Sequence, residues 1–227
     1  MDPDQQVADN VAAETDAILA WLGAKNLKVY LWYRDDPRTL DANEWPTRKN
    51  VNGGWATPGQ PEIVIYRQEE WQRVLIHETI HAMKWDWPIG PTPQPCWKLN
   101  NSDKLMPHLF EAWTELYAEW LLSAWNHVSW EDQRKWQDFQ ATQLLARAKH
   151  TWQEDTNVWA YYVLKAALAP HIEFLWMAGS GQTPEEQSYT LCTLVGPELE
   201  RLRHQAKTTT LVPMSLRMSL PPKVGKK

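Results

Sequence analysis

The chain has 227 residues, a net charge of −5, two cysteines, and sixteen tryptophans against three phenylalanines. That length suits one domain, or one domain in two lobes, with room for a sizeable core, and the acidic balance argues against nucleic acid as the main partner. No run of about 18 apolar residues exists, so no membrane span is expected.

The first element reads as a helix over residues 3–22, with Val7, Val11, Ile18, Leu19 and Leu22 at helical spacing and Gly23 as a stop. A strand follows over 27–33. Residues 34–50 are polar, carry Pro37 and Pro46, and read as a long excursion. Asn52-Gly53-Gly54 signals a tight turn. Residues 62–66, Glu-Ile-Val-Ile-Tyr, form the clearest strand; as an edge strand it could bind an extended peptide by strand addition. A helix is expected over 68–84. Residues 88–107 contain five prolines and form an irregular connection. Helices are then expected over about 106–125, 130–151, 156–169 and 184–205. Thr183-Pro184-Glu185-Glu186 is a good start for the last, and Gly196-Pro197 should kink or divide it. From 207 the chain mixes Thr, Pro and Lys and reads as a flexible tail.

The segment His77-Glu78-Thr79-Ile80-His81 lies inside the helix expected over 68–84. Two histidines four residues apart on a helix project from one face. That spacing lets both imidazoles reach one Zn²⁺ at roughly 2.0–2.1 Å. Glu78 then lies beside a metal-activated water and can serve as its general base. Chance produces the five-residue pattern in a chain with seven histidines about once in a hundred. The context is also unlike a surface helix. Val74, Leu75 and Ile76 precede the motif, and Ile80, Ala82 and Met83 surround its second half. Buried polar side chains need partners, and a metal supplies them.

Catalytic zinc usually has three protein ligands and an open position. A third histidine six residues after His81 would fall at Trp87, and the accompanying glycine at Lys84, so the chain does not resemble the metzincin peptidases. Glu111-Ala112-Trp113-Thr114-Glu115 instead resembles the Glu-Ala-x-Ser-Asp segment on the second zinc helix of gluzincin, thermolysin-like peptidases. The resemblance implies Glu111 as third ligand and Glu115 as a support that hydrogen-bonds His77 or His81. Residues at i and i+4 do share a helix face, and a carboxylate accepting the imidazole's other N–H fixes its tautomer. A solvated acidic stripe of Glu111, Glu115 and Glu119 is the plainer alternative. Leu109, Ala112, Trp113, Leu116, Tyr117, Trp120 and Leu121 weigh against it. The pattern departs from thermolysin in three respects. Glu111 lies 30 positions after His81, Phe110 stands where Asn is common, and the chain is short. The pairing of motifs also looks like small zincin-like proteins, some encoded by large DNA viruses.

These features predict an α+β, zincin-like fold: a small N-terminal sheet with the active-site helix, then a mostly helical C-terminal half. One domain over 1–206 is expected, with sub-domains 1–90 and 91–206 and a tail over 207–227. The implied function is a zinc-dependent peptidase with His77, His81 and Glu111 as ligands and Glu78 as base. Tyr161, Tyr162, His150 and His171 are the candidates for a group that steadies the developing oxyanion. The expected partners are a peptide or protein substrate, with no nucleic acid and no membrane. A protein partner could use the Trp-rich surface or the tail, although a Trp-rich core is the favoured reading. The competing function is a structural or assembly protein that keeps the zinc site without turnover. Cys96 and Cys192 could form one disulfide, but two free thiols in a reducing, cytoplasmic compartment is the simpler reading, with no secretory signal at the acidic N-terminus. A virion-associated or processed secreted chain stays open.

Overall fold

The computed structural model describes residues 3–86, 109–148, 156–178 and 182–220. The fold is α+β. In chain order the elements are α1 (Pro3–Leu22), β1 (Lys28–Arg34), β2 (Thr39–Leu40), α2 (Arg48–Val51), β3 (Gly54–Ala56), β4 (Glu62–Arg67) and α3 (Trp71–Ala82). After these come α4 (Leu109–Trp125), α5 (Trp130–Arg147), a π-helical turn (Trp159–Leu164), α6 (Lys165–Leu168), a 3-10 turn (Ala169–His171), α7 (Ile172–Ala178), α8 (Pro184–Ala206) and β5 (Met214–Ser215). Two compact units result: residues 1–36 with 53–85, and residues 37–52 with 86–227. The polar excursion from Pro37 to Asn52 therefore groups with the C-terminal half.

The first unit is a three-stranded sheet in the order β1-β4-β3, with α3 packed on it and α1 packed on α3. β1 runs parallel to β4 and β3 antiparallel. The Glu62–Arg67 strand is thus central, not an edge, which corrects the expectation of strand addition there. Its burial alternates, with Ile63, Ile65 and Arg67 buried and Glu62 exposed. That period of two puts one face on α3 and leaves Val64 and Tyr66 half-buried on the other. α3 is buried continuously from Arg73 to Ala82, so it has no solvent face.

The second unit is helical, and α5 packs on α8 and on the π-helical turn. Ser129 caps α5 by accepting from Asp132 N–H, and Thr183 and Glu186 form the expected capping box at α8. α8 runs from Pro184 to Ala206 through Pro197, so of the expected kink or division the division does not occur. The helix expected to stop at 169 continues through Pro170 by a 3-10 turn into α7.

The segment expected to be a flexible tail is held, as far as it is described. Met214, Leu216 and Met218 are buried, and β5 pairs with β2. Gln133 Nε2 donates to Met218 O (2.7 Å), Gln140 Nε2 to Arg217 O (2.6 Å) and Gln143 Nε2 to Thr210 O (2.8 Å). Tyr162 Oη donates to Leu216 O at 2.8 Å. Glutamines spaced along one face of α5 thus satisfy the backbone of an extended strap. Residues 221–227 lie outside the described residues.

Cys192 is disulfide-bonded, which corrects the free-thiol expectation. The chain's other cysteine, Cys96, lies outside the described residues. Among the described residues, no helix is long and apolar enough to cross a membrane.

Candidate metal centre

α3 is seated by its two ends. At its start, Glu70 adopts a left-handed backbone (φ 63°), and its carboxylate lies 3.8 Å from Arg73 Nε in a buried pair one turn along. Gln72 also reaches Glu14 on α1. At its finish, Lys84 is left-handed (φ 55°), and Trp85 N–H donates to Ile80 O at 2.9 Å. This closes the orphan carbonyls in the manner of a Schellman turn. Gly59 N–H donates to the His81 carbonyl at 3.2 Å. A side chain at Gly59, itself at φ 75°, would meet the Lys84 side chain.

On this helix His77, Glu78 and His81 are 5 %, 8 % and 7 % exposed. The i, i+4 spacing brings the two Nε2 atoms 3.0 Å apart, with the rings edge to face. At that distance at most one of the facing nitrogens carries a hydrogen. Two nitrogens at about 2.0–2.1 Å from one tetrahedral zinc are separated by roughly 3.3 Å, so the pair is close to a chelating geometry.

β3 crosses α3 beside the glutamate. A Cβ at Gly54 would lie 2.6 Å from Val74 Cγ1, 2.7 Å from the Val64 carbonyl oxygen and 3.5 Å from Glu78 Cγ. Only glycine permits this approach of strand to helix. The Asn-Gly-Gly pattern reads as a turn, and that reading misses its second glycine as a packing site.

Glu111 lies half-buried in the first turn of α4. Tyr161 Oη donates to its Oε2 at 3.3 Å, and Asn157 Nδ2 approaches the same hydroxyl at 3.4 Å. Tyr161 sits in the π-helical turn, a conformation often found at functional sites. It is thereby singled out among the four oxyanion candidates. The Tyr162 hydroxyl is engaged by the C-terminal strap, and His171 ends the 3-10 turn. His150 lies outside the described residues.

The remaining carboxylates of α4 are not solvated. Glu115 is 1 % exposed and Glu119 is fully buried. Glu119 accepts from Lys165 Nζ, also fully buried, from Gln133 Nε2 at 2.8 Å and from Gln137. Burial pushes the Glu119 carboxyl up to about 7, against the pull of Lys165 and with a smaller push from Glu115. Sequence reasoning missed Lys165, because a lysine in an apolar helix shows no partner until the packing is known.

His77 and His81 belong to the first unit and Glu111 to the second, and two imidazoles with one carboxylate form a donor set whose chemistry suits zinc. No protein-family model, curated protein or solved structure matches the chain.

Proposed function

We propose that the chain is a zinc-dependent peptidase of gluzincin type, with His77, His81 and Glu111 as ligands. The observation that carries this reading is the pair of buried imidazoles with Nε2 atoms 3.0 Å apart, close to a chelating geometry, with Glu78 on the same helix. A zinc ion held there would lower the pKa of a water toward about 7 and act as a Lewis acid. Glu78 takes the proton of the attacking water and passes it to the leaving amine. Its buried position beside Gly54 limits competing solvent contacts. Tyr161 is the hydroxyl assigned to the oxygen that becomes negative, because it already reaches Glu111 Oε2. Glu115 is assigned to orient a ligand histidine, supported by its burial on the Glu111 face of α4.

The substrate is an extended peptide. The sheet edge nearest Glu78 is β3, which pairs on one side with β4. A peptide added there would gain backbone hydrogen bonds. The disulfide at Cys192 favours an oxidising compartment over the cytoplasm.

Glu78→Gln tests the reading, because it removes the base and leaves the ligands. The variant should keep about one zinc per chain and lose roughly 10²–10⁴-fold in turnover of a mixed peptide library. Undiminished turnover would remove Glu78 from the mechanism. Zinc without turnover in the parent chain would favour the scaffold reading instead.

A further inference from the structure

The sheet has a second face, turned away from α3. Tyr30 on β1, Val64 on β4 and Trp55 on β3 are register partners across the three strands. Paired residues share a face, so two aromatic rings flank the half-buried Val64, separated by two strand spacings of about 9.5 Å. Tyr30 is 50 % exposed and Trp55 52 %. Trp32, where β1 bulges, is 77 % exposed. A core-seeking indole left this open is uncommon, and rings clustered on one surface mark a binding site.

Charge and area narrow the occupant. Lys28 and Glu62 stand opposite each other at one end of the face, whereas Arg34, the register partner of the buried Arg67, belongs to the α3 side of the sheet. The Lys28 and Glu62 charges are matched locally, and the chain carries −5. Single-stranded nucleic acid also stacks on sheet aromatics, but it needs a basic track for its phosphates. At about 150–250 Å² per aromatic side chain, these exposures amount to roughly 270–450 Å². A stable protein interface needs about 800 Å² per partner. The face is therefore small, aromatic and without net charge. That suits a ligand with flat C–H faces and hydroxyls that remain in water.

We propose that Tyr30, Trp32 and Trp55, set around Val64, form a platform for a neutral, β-1,4-linked sugar chain. Alternate sugar rings would stack on Tyr30 and Trp55 while the outward hydroxyls stay hydrated. No metal or Glu78 is involved, so the proposal stands or falls apart from the peptidase reading.

The test is titration of the full chain with cellohexaose and with chitohexaose, followed by tryptophan fluorescence and calorimetry. Saturable binding to at least one hexaose is expected at millimolar concentration or below, unchanged by chelator. Trp55→Ala and Tyr30→Ala should each weaken it at least fivefold. Phe174→Ala, at an exposed site in the other unit, should leave it unchanged. Circular dichroism of each variant guards against misfolding. The proposal is overturned by no binding of either sugar to the folded chain, or by equal binding in all three variants. A dimer in sedimentation that Trp55→Ala dissociates would also overturn it, making the face a self-association surface.

Discussion

Glu111, Glu115 and Glu119 lie one turn apart on α4, yet their surroundings give them different work. Glu111 is half-buried beside the Tyr161 hydroxyl, whereas Glu119 is closed in by Lys165 and two glutamines. Glu111→Ala should therefore lower zinc affinity by at least tenfold, measured by competition with a chromophoric chelator. Glu119→Ala should act on stability instead, because it strands a buried Lys165 ammonium at a cost of about 3–5 kcal/mol. Equal loss of zinc affinity in the two variants would remove the assignment of Glu111. Glu119 also gives the fold a pH dependence. Its carboxyl lies near 7 in the native state, above the ordinary value of 4.5. Between about pH 4.5 and 7 the native chain then binds more protons than the unfolded one, so its contribution is complete below that window and is lost as pH rises through it. Urea unfolding from pH 5 to 7.5 should show stability falling by up to about 3 kcal/mol from this group. A rise that disappears in Glu119→Gln would reverse the sign.

At the scale of elements, α5 and the C-terminal strap depend on each other. The α5 sequence looks polar around its circumference, but Gln133, Gln137 and Gln140 are buried. Their amide N–H groups donate to Glu119 and to the main chain of residues 215–218. Removing residues 208–227 would take the strap's acceptors from Gln133 and Gln140 and uncover the surfaces that pack on Met214, Leu216 and Met218. Each such apolar side chain contributes about 1.5–3 kcal/mol, and each stranded amide costs about 1–3 kcal/mol. The truncated chain should lose at least about 5 kcal/mol in chemical denaturation. A loss under about 1 kcal/mol would mean that the strap is dispensable. The strap was illegible from the sequence because Thr, Pro and Lys after residue 206 carry the composition of a loose tail. Order there comes from glutamines some 70 residues earlier.

Across the whole molecule the disulfide at Cys192 is a covalent restraint. In the chain-entropy account a disulfide stabilises by constraining the unfolded chain, typically by about 2–4 kcal/mol. Reduction under native conditions should lower the thermal midpoint by several degrees, as should Cys192→Ser, and the two effects should not add. A midpoint unchanged by reductant would show that the restraint contributes nothing to stability.

Local information settled the positions of α1, β4, α3 and α8. Apolar period, the Thr183 capping box and the stop at Gly23 act over a few residues. The His77-Glu78-His81 pattern was legible for the same reason, since one turn of helix carries both imidazoles to one side. Glu111 and Glu115 were nominated by a short resemblance, and the burial of α4 was readable from its aliphatic and aromatic neighbours. Tertiary packing decided the rest. β4 is central because β3 folds back over it, with Gly54 as the contact on α3. Tyr161 was separated from Tyr162 by which hydroxyl met Glu111 and which met the strap. The tryptophans divided likewise: Trp159 is fully buried and Trp32 largely open, on residue types that sequence alone treats alike. Period and capping are set by neighbours along the chain, whereas partners for a buried charge or a face of a sheet come from segments far away in sequence.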